Sequence, residues 1–323
     1  MSARFVTVLL CSAACVFAQK KQIPRTPEGH PDLQGVWTNA TLTPMERPAA
    51  YANKPTVTEA EAKDFAKNAA EELRQTDGAS DSPGLRAAGS GGTGGYNELF
   101  IDRGNQLAQV DGTFRTSLIV DPPDGKMPKR TAAANARLGR EMTNFLSYNS
   151  VKNRPLSERC IVSFGSSSGP PMMPVLYNNN YQIVQTPETV MILVEMDHDV
   201  RTVRMGGTHV SPSIRKWLGD SIGHWDGDTL VVDTTNFNDQ TDFQGASHDL
   251  HVIERFTRVD ANTILYRVTL DDPSSFPKPW TMEFPFVAAP GPVYEYACHE
   301  GNYALMDIMG GARKADAEAA RKK

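Results

Sequence analysis

The sequence predicts a mainly β fold, an antiparallel β-barrel of roughly ten strands carrying helical and loop decorations in its N-terminal third. Three observations point there. Residues 219–272 hold two strand–turn–strand units, turning at Asp226-Gly227-Asp228 and at Asp260-Ala261-Asn262. Trp280–Val287 alternates cleanly, with Trp280, Met282, Phe284 and Phe286 on one face. From Tyr177 onward short apolar-alternating runs follow tight turns with almost no helical spacing, the pattern of a sandwich or barrel, and closure removes edge strands.

Taken in order, residues 1–18 read as a secretory signal. Arg4 precedes the apolar Phe5–Leu10, and Val16-Phe17-Ala18 fits a cleavage site. The run is too short for a stable transmembrane anchor. A lipoprotein reading places the anchor at Cys15, but the usual aliphatic residue three positions earlier is missing. Residues 19–34 are polar and proline-containing, an arm. Gly35-Val36-Trp37 opens the single barrel domain, which is expected to run from 35 to 311 with a helical and glycine-rich insertion at about 56–150.

Thr58 and Glu61 form a capping box, predicting a helix over about 58–75. Residues 76–95 are a linker, since no Gly-Lys-Ser/Thr and no βαβ context follow their glycines. Strand-like pieces lie at Leu99–Asp102 and Arg115–Val120, a sharp turn at Asp121–Gly125, and a second helix at 131–147. Gly165-Ser166-Ser167-Ser168-Gly169 matches a nucleophile-elbow pattern, but Pro170-Pro171 argues against that geometry. Val190–Val194 reads as a central strand, Asp199–Met205 as the next, and the stretch from Val293 as the last. The tail after Gly311 is charged and expected to fray.

The chain has 323 residues and a formal charge of −5, with basic residues scattered, so nucleic acid is excluded as a natural partner. No stretch after the leader is apolar enough to span a membrane. Four cysteines are present, two of them, Cys11 and Cys15, in the leader. Cys160 and Cys298 remain, read as a disulfide in an exported chain, the alternative being two buried thiols. The expected location is periplasmic or secreted.

Pairing across the second hairpin sets Phe256 opposite Tyr266 and Glu254 opposite Val268. Glu254 then shares an apolar face with Val252, Phe256, Ile264, Tyr266, Val268 and Leu270. A carboxylate there is costly unless paired or protonated, so it is an acid/base, a ligand anchor, or half of a salt bridge. His251, His299 and His209 join Glu254 as candidate catalytic residues. His299 follows Cys298, which would hold it rigidly. His251 points to the opposite strand face from Glu254 and reaches it only across a bulge. Asp197-His198-Asp199 is a carboxylate-oriented histidine or a solvated turn. Trp225, Tyr266, Arg255 and Trp280 are candidate ligand contacts, although such aromatics more often belong to the core. His248 and His251 face oppositely on a strand, so no metal and no cofactor is expected.

Leu33–Trp37, SERCI at 157–161, YNNNYQIVQTP at 177–187, GDSIGHWDGDTLVVDTTNF at 219–237, the run at 250–273 and YEYACHEGNY at 294–303 resemble a large group of exported bacterial proteins. The resemblance implies export from a bacterial cell and carries over no catalytic residue. Gly35-Val36-Trp37 is similar to the opening strand of lipocalin-like barrels. Function is therefore expected to be binding of a small, partly apolar ligand in the barrel. The alternatives are a secreted lyase, isomerase or hydrolase using His and Glu at the mouth, or an envelope interaction module. Convergence of the histidines with Glu254 around a pocket would favour the enzyme.

Overall fold

A computed structural model describes residues 23–80, 101–240, 243–300 and 302–322. The stretch expected to be a leader, the first residues of the arm and most of the glycine-rich linker lie outside the described residues. Thirteen strands and three α-helices are assigned among the described residues. The strands are β1 (Gly35–Thr38), β2 (Thr56–Val57), β3 (Gln109–Val110), β4 (Thr113–Arg115), β5 (Ile119–Asp121), β6 (Asn180–Gln185), β7 (Thr189–Val194), β8 (Val200–Met205), β9 (Asp220–Asp226), β10 (Thr229–Thr235), β11 (His251–Asp260), β12 (Thr263–Asp271) and β13 (Trp280–Ala288). The helices are α1 (Glu59–Ser80), α2 (Ala132–Phe145) and α3 (Ala304–Arg321).

The barrel closes. β6 to β13 pair in sequence, and β1 pairs with both β6 and β13, giving nine strands around the ring. β5 adds to the first half of β13 as a tenth strand of the same sheet. One seam departs from the antiparallel expectation: β8 and β9 run parallel, Val203 beside Ser221 and Met205 beside Gly223. A parallel pair needs a crossover, so residues 206–219 return along the barrel before β9 starts. The lipocalin-like expectation is not confirmed, because an up-and-down barrel has no parallel seam.

The second hairpin keeps the expected facing pairs by a different route. Asp260 pairs with Thr263, leaving a two-residue loop, Ala261-Asn262, and a bulge at Val259 restores the register. Phe256 still meets Tyr266 and Glu254 still meets Val268. The bulged Val259 points to solvent. In the first hairpin Asp226 pairs with Thr229, and Gly227 takes the positive φ of 58° that the tight turn requires.

The inward set of β6–β13 forms the core. Tyr181, Ile192, Val194, Phe256, Tyr266, Val268, Trp280, Phe284 and Phe286 are at most 1% exposed. Tyr266 lies 5.1–5.2 Å, ring to ring, from Phe256, Phe284 and Phe286. Val190–Val194 is flanked by strands on both sides as expected, but only alternate side chains face inward, and Met191 is exposed. Residues 163–173 plug one end. The Tyr181 hydroxyl donates to Ser167 O (2.9 Å), Met172 N–H to the Tyr266 hydroxyl (3.1 Å), and Asn39 Nδ2 to Met172 O (3.0 Å).

Outside the barrel, β2, β4 and β3 form a small sheet beside α1. The capping box is made: Thr58 N–H donates to Glu61 Oε2 (2.9 Å) and Glu61 N–H to Thr58 Oγ1 (3.3 Å). Thr131 caps α2 by accepting from Ala134 N–H (3.1 Å). The arm is docked rather than loose. Arg25 binds both Asp228 oxygens (2.9 and 2.6 Å), Leu33 is fully buried, and Arg258 holds Asp32 O. Two expectations are corrected at the C-terminus. Residues 293–300 form no strand, and the second edge of β13 is paired with β1 and β5. The charged tail is α3, whose Ala, Lys, Arg and Glu content favours helix.

Candidate functional site

Glu254 lies inside the barrel, unexposed, against Arg201 from β8. Both carboxylate oxygens are engaged, Arg201 Nη1–Oε1 at 2.9 Å and Nη2–Oε2 at 2.5 Å, and the Tyr266 hydroxyl donates to Oε1 (2.8 Å). Burial alone would lower the Arg201 pKa, but Glu254 outweighs it and the net shift is upward. The salt-bridge alternative therefore describes Glu254. The reading of Tyr266 and Trp280 as ligand contacts is corrected likewise: both are fully buried core residues. Trp225 stacks on His30 at 4.5 Å with an interplanar angle of 6°, under the arm. Arg255 points outward to Asp226 (2.6 Å).

His251 and His209 do converge, on the outer face and away from Glu254. Strict alternation holds at the start of β11, so His251 faces out and Glu254 in. His251 Nε2 lies 2.8 Å from Asp233 Oδ2, and His209 Nε2 lies 2.9 Å from Asp233 Oδ1. His209 sits on the crossover that the parallel seam demands. Its Nδ1 is 3.2 Å from Asp220 Oδ2. Asp220 also binds Arg204 through both oxygens, Lys216 Nζ (2.7 Å) and Val210 N–H (3.1 Å). Arg204 foremost holds the Asp220 carboxyl far below its usual range. Burial pushes Asp233 up, but the hydrogen bonds from His251 and His209 bring it below normal. The bond to Asp233 raises His251 above 6.5. With both oxygens of Asp220 and of Asp233 engaged, this network reads as a clasp on the crossover.

The third cluster sits at the plugged end, where β7 turns into β8. Asp197 and His198 have φ of 60° and 55°, a left-handed region uncommon for non-glycine residues and frequent at functional sites. Burial foremost, then the Asp199 charge, raises the Asp197 carboxyl to about 6, while His198 and His299 draw it down. Asp197 Oδ2 is buried without a hydrogen-bond partner among the described residues. Burial also raises Asp199, opposed by the Ser168 hydroxyl, which donates to Oδ2 at 2.5 Å. Ser168 pairs with Ser163 (2.6 Å), whose hydroxyl in turn accepts from Ser167 (2.8 Å). Ser167 is thus an unexposed link in a hydroxyl chain and not a nucleophile at an elbow.

Tyr296 N–H donates to His198 Nε2 (2.8 Å), so a neutral His198 carries its proton on Nδ1. That bond fastens the 295–300 segment to the turn, and the Cys160–Cys298 disulfide, with Cα atoms 5.8 Å apart, fastens it again. The same segment lines a cavity of about 520 Å³ with Ser157, Asn302 and Leu305.

No protein-family model, curated protein or solved structure matches this chain. The site must be read from its own geometry. Glu254, His251 and His299 have no common partner and occupy the interior, the outer face and the plugged end. Sequence reasoning reached His299 and the Asp197–Asp199 turn separately. It missed Arg201, Asp220 and Asp233 as partners, since each is identified only by which strand lies next to which. Among the described residues no group of three or more His, Cys, Asp or Glu side chains is arranged to hold a metal ion, and no helix is long and apolar enough to cross a membrane.

Proposed function

We propose that this is an exported barrel protein that performs acid–base chemistry on a small molecule at the plugged end of the barrel. The observation that carries the reading is the Asp197 carboxyl, half-buried, orphaned at Oδ2 and lifted to about 6. Such a group is half protonated near pH 6 and keeps a minor protonated fraction at neutral pH, so it can give and retake a proton. Burial raises Asp199 as well, but Ser168 donates to it while Asp197 Oδ2 has no such donor, so the two carboxyls differ in environment and can divide acid and base roles. The imidazoles of His198 and His299 lie close enough to Asp197 to draw its carboxyl down. Lyase, isomerase and hydrolase reactions can each use such a pair as acid and base. The disulfide and the leader-like N-terminus support export, and the motif resemblance adds a bacterial envelope or medium as the place.

Carboxyl-carbon NMR of selectively labelled protein tests the proton donor, with a midpoint near 6 expected for Asp197. Incubation with a bacterial small-molecule extract, followed by mass spectrometry, should show products with the parent chain and none with Asp197→Asn. Asn tolerates the same left-handed backbone, so the fold is kept. Identical product profiles from both proteins would overturn the reading.

A further inference from the structure

A second cavity, of about 410 Å³, opens between α2 and the segment 152–156, with Asp239 and Gln240 at one side. Part of its lining is apolar, Leu138, Met142, Phe145, Pro155 and Leu156, and Met142 and Phe145 stay 58% and 43% exposed. Large side chains left open beside a concavity of this size are typical of a ligand pocket.

The rim is cationic. Arg137, Arg140, Lys152 and Arg154 all line the cavity, against Glu141 and Asp239. Arg154 is neutralised by Glu158, which it grips at 2.8 and 2.9 Å, and it stacks on Phe145 and Tyr148. It is a built wall, 4% exposed. Arg137 donates to neutral acceptors, Gly245 O (3.2 Å), Ser275 Oγ (2.5 Å) and Ser274 Oγ (3.5 Å), so it has no direct ion-pair partner among the described residues. Arg140 and Lys152 have no side-chain partner among the described residues. Asp239 is turned to His248 at 3.0 Å.

We propose that this crevice binds a small amphipathic anion, a carboxylate whose apolar body lies on Met142 and Phe145 while its head meets Arg140, Lys152 and Arg137. The apolar wall gives affinity and the fixed charge selects the head. The site is separate from the acid–base cluster and stands whether or not that reading holds.

The test uses octanoate, octanol and acetate with the whole chain, read by calorimetry and by the methyl-carbon NMR signal of Met142. Octanoate should bind saturably and shift Met142, while octanol and acetate bind far more weakly. Arg140→Gln with Lys152→Gln should weaken octanoate by about tenfold, the equivalent of about 1.4 kcal/mol, and leave octanol unchanged. Both residues are exposed, so the fold is retained, as circular dichroism would verify. Equal binding of octanoate and octanol, no saturable octanoate binding, or octanoate binding that ignores the double substitution would each overturn the proposal.

Discussion

Arg201 and Glu254 show how one residue pair can dominate the interior without reacting. Two full charges inside an aromatic core are tolerable only because each satisfies the other. Glu254→Gln should therefore lower stability by about 3–5 kcal/mol, leaving Arg201 buried and unpaired. Urea denaturation would measure the loss, and replacing both residues with Met should recover most of it; a double variant as weak as the single one contradicts the argument. On the outer face, His251 makes stability depend on pH. Its folded pKa is raised above 6.5, so the contribution of its bond to Asp233 is complete below that value and is lost as pH rises through the folded pKa. Asp233, lowered below 3.8, contributes above that value and loses the bond as pH falls through its own folded pKa. Between pH 6 and 8 the thermal midpoint should fall more steeply for the parent chain than for His251→Gln. Parallel curves would remove His251 from the account.

At the scale of elements, the parallel β8–β9 seam shapes everything around it. It forces the 206–219 crossover, and the crossover brings His209 between Asp220 and Asp233. The seam depends on Gly223. A Cβ there would meet Val203 Cγ1 at 2.8 Å and Met205 Sδ at 2.9 Å, both on β8. Gly223→Ala should cost about 1–3 kcal/mol by overpacking. Hydrogen exchange in 200–205 and 220–226 should speed up more than in β12 and β13; a uniform change would argue against a local cause. The β11–β12 hairpin shows the opposite behaviour, since its bulge at Val259 absorbs a shorter loop without moving one inward residue.

Across the whole molecule, one bond ties the outer layer together. Cys160 follows α2 and Cys298 precedes α3, 138 residues apart. By chain entropy a loop of that length stabilises the fold by about 5 kcal/mol. Cys160→Ser with Cys298→Ser should lower the thermal midpoint and loosen the 295–300 segment, while β6–β13 persist by circular dichroism. Peptide mapping without reductant should recover the linked pair from the parent chain. A double variant that unfolds completely would mean that the barrel leans on its outer layer more than its buried interior implies.

Much of the barrel was legible in the chain because its signals are local. Period-two alternation at 280–287, the turn residues at 226–228 and 260–262, and the capping box at Thr58 each follow from a few neighbouring residues. The inward face of β11 and β12 was readable with Glu254 on it, and so was the pairing of Cys160 with Cys298, the two cysteines left outside the leader-like N-terminus. What the sequence did not determine is every relation between strands far apart in the chain. Strand order is set by non-local packing, so the parallel seam, the closure through β1 and the loss of the expected last strand came from the tertiary structure alone. That order chose Arg201 for Glu254, placed His209 and His251 on one carboxylate, and set His299 beside Asp197. A carboxylate's role depends on what surrounds it in space, and no spacing along the chain encodes that.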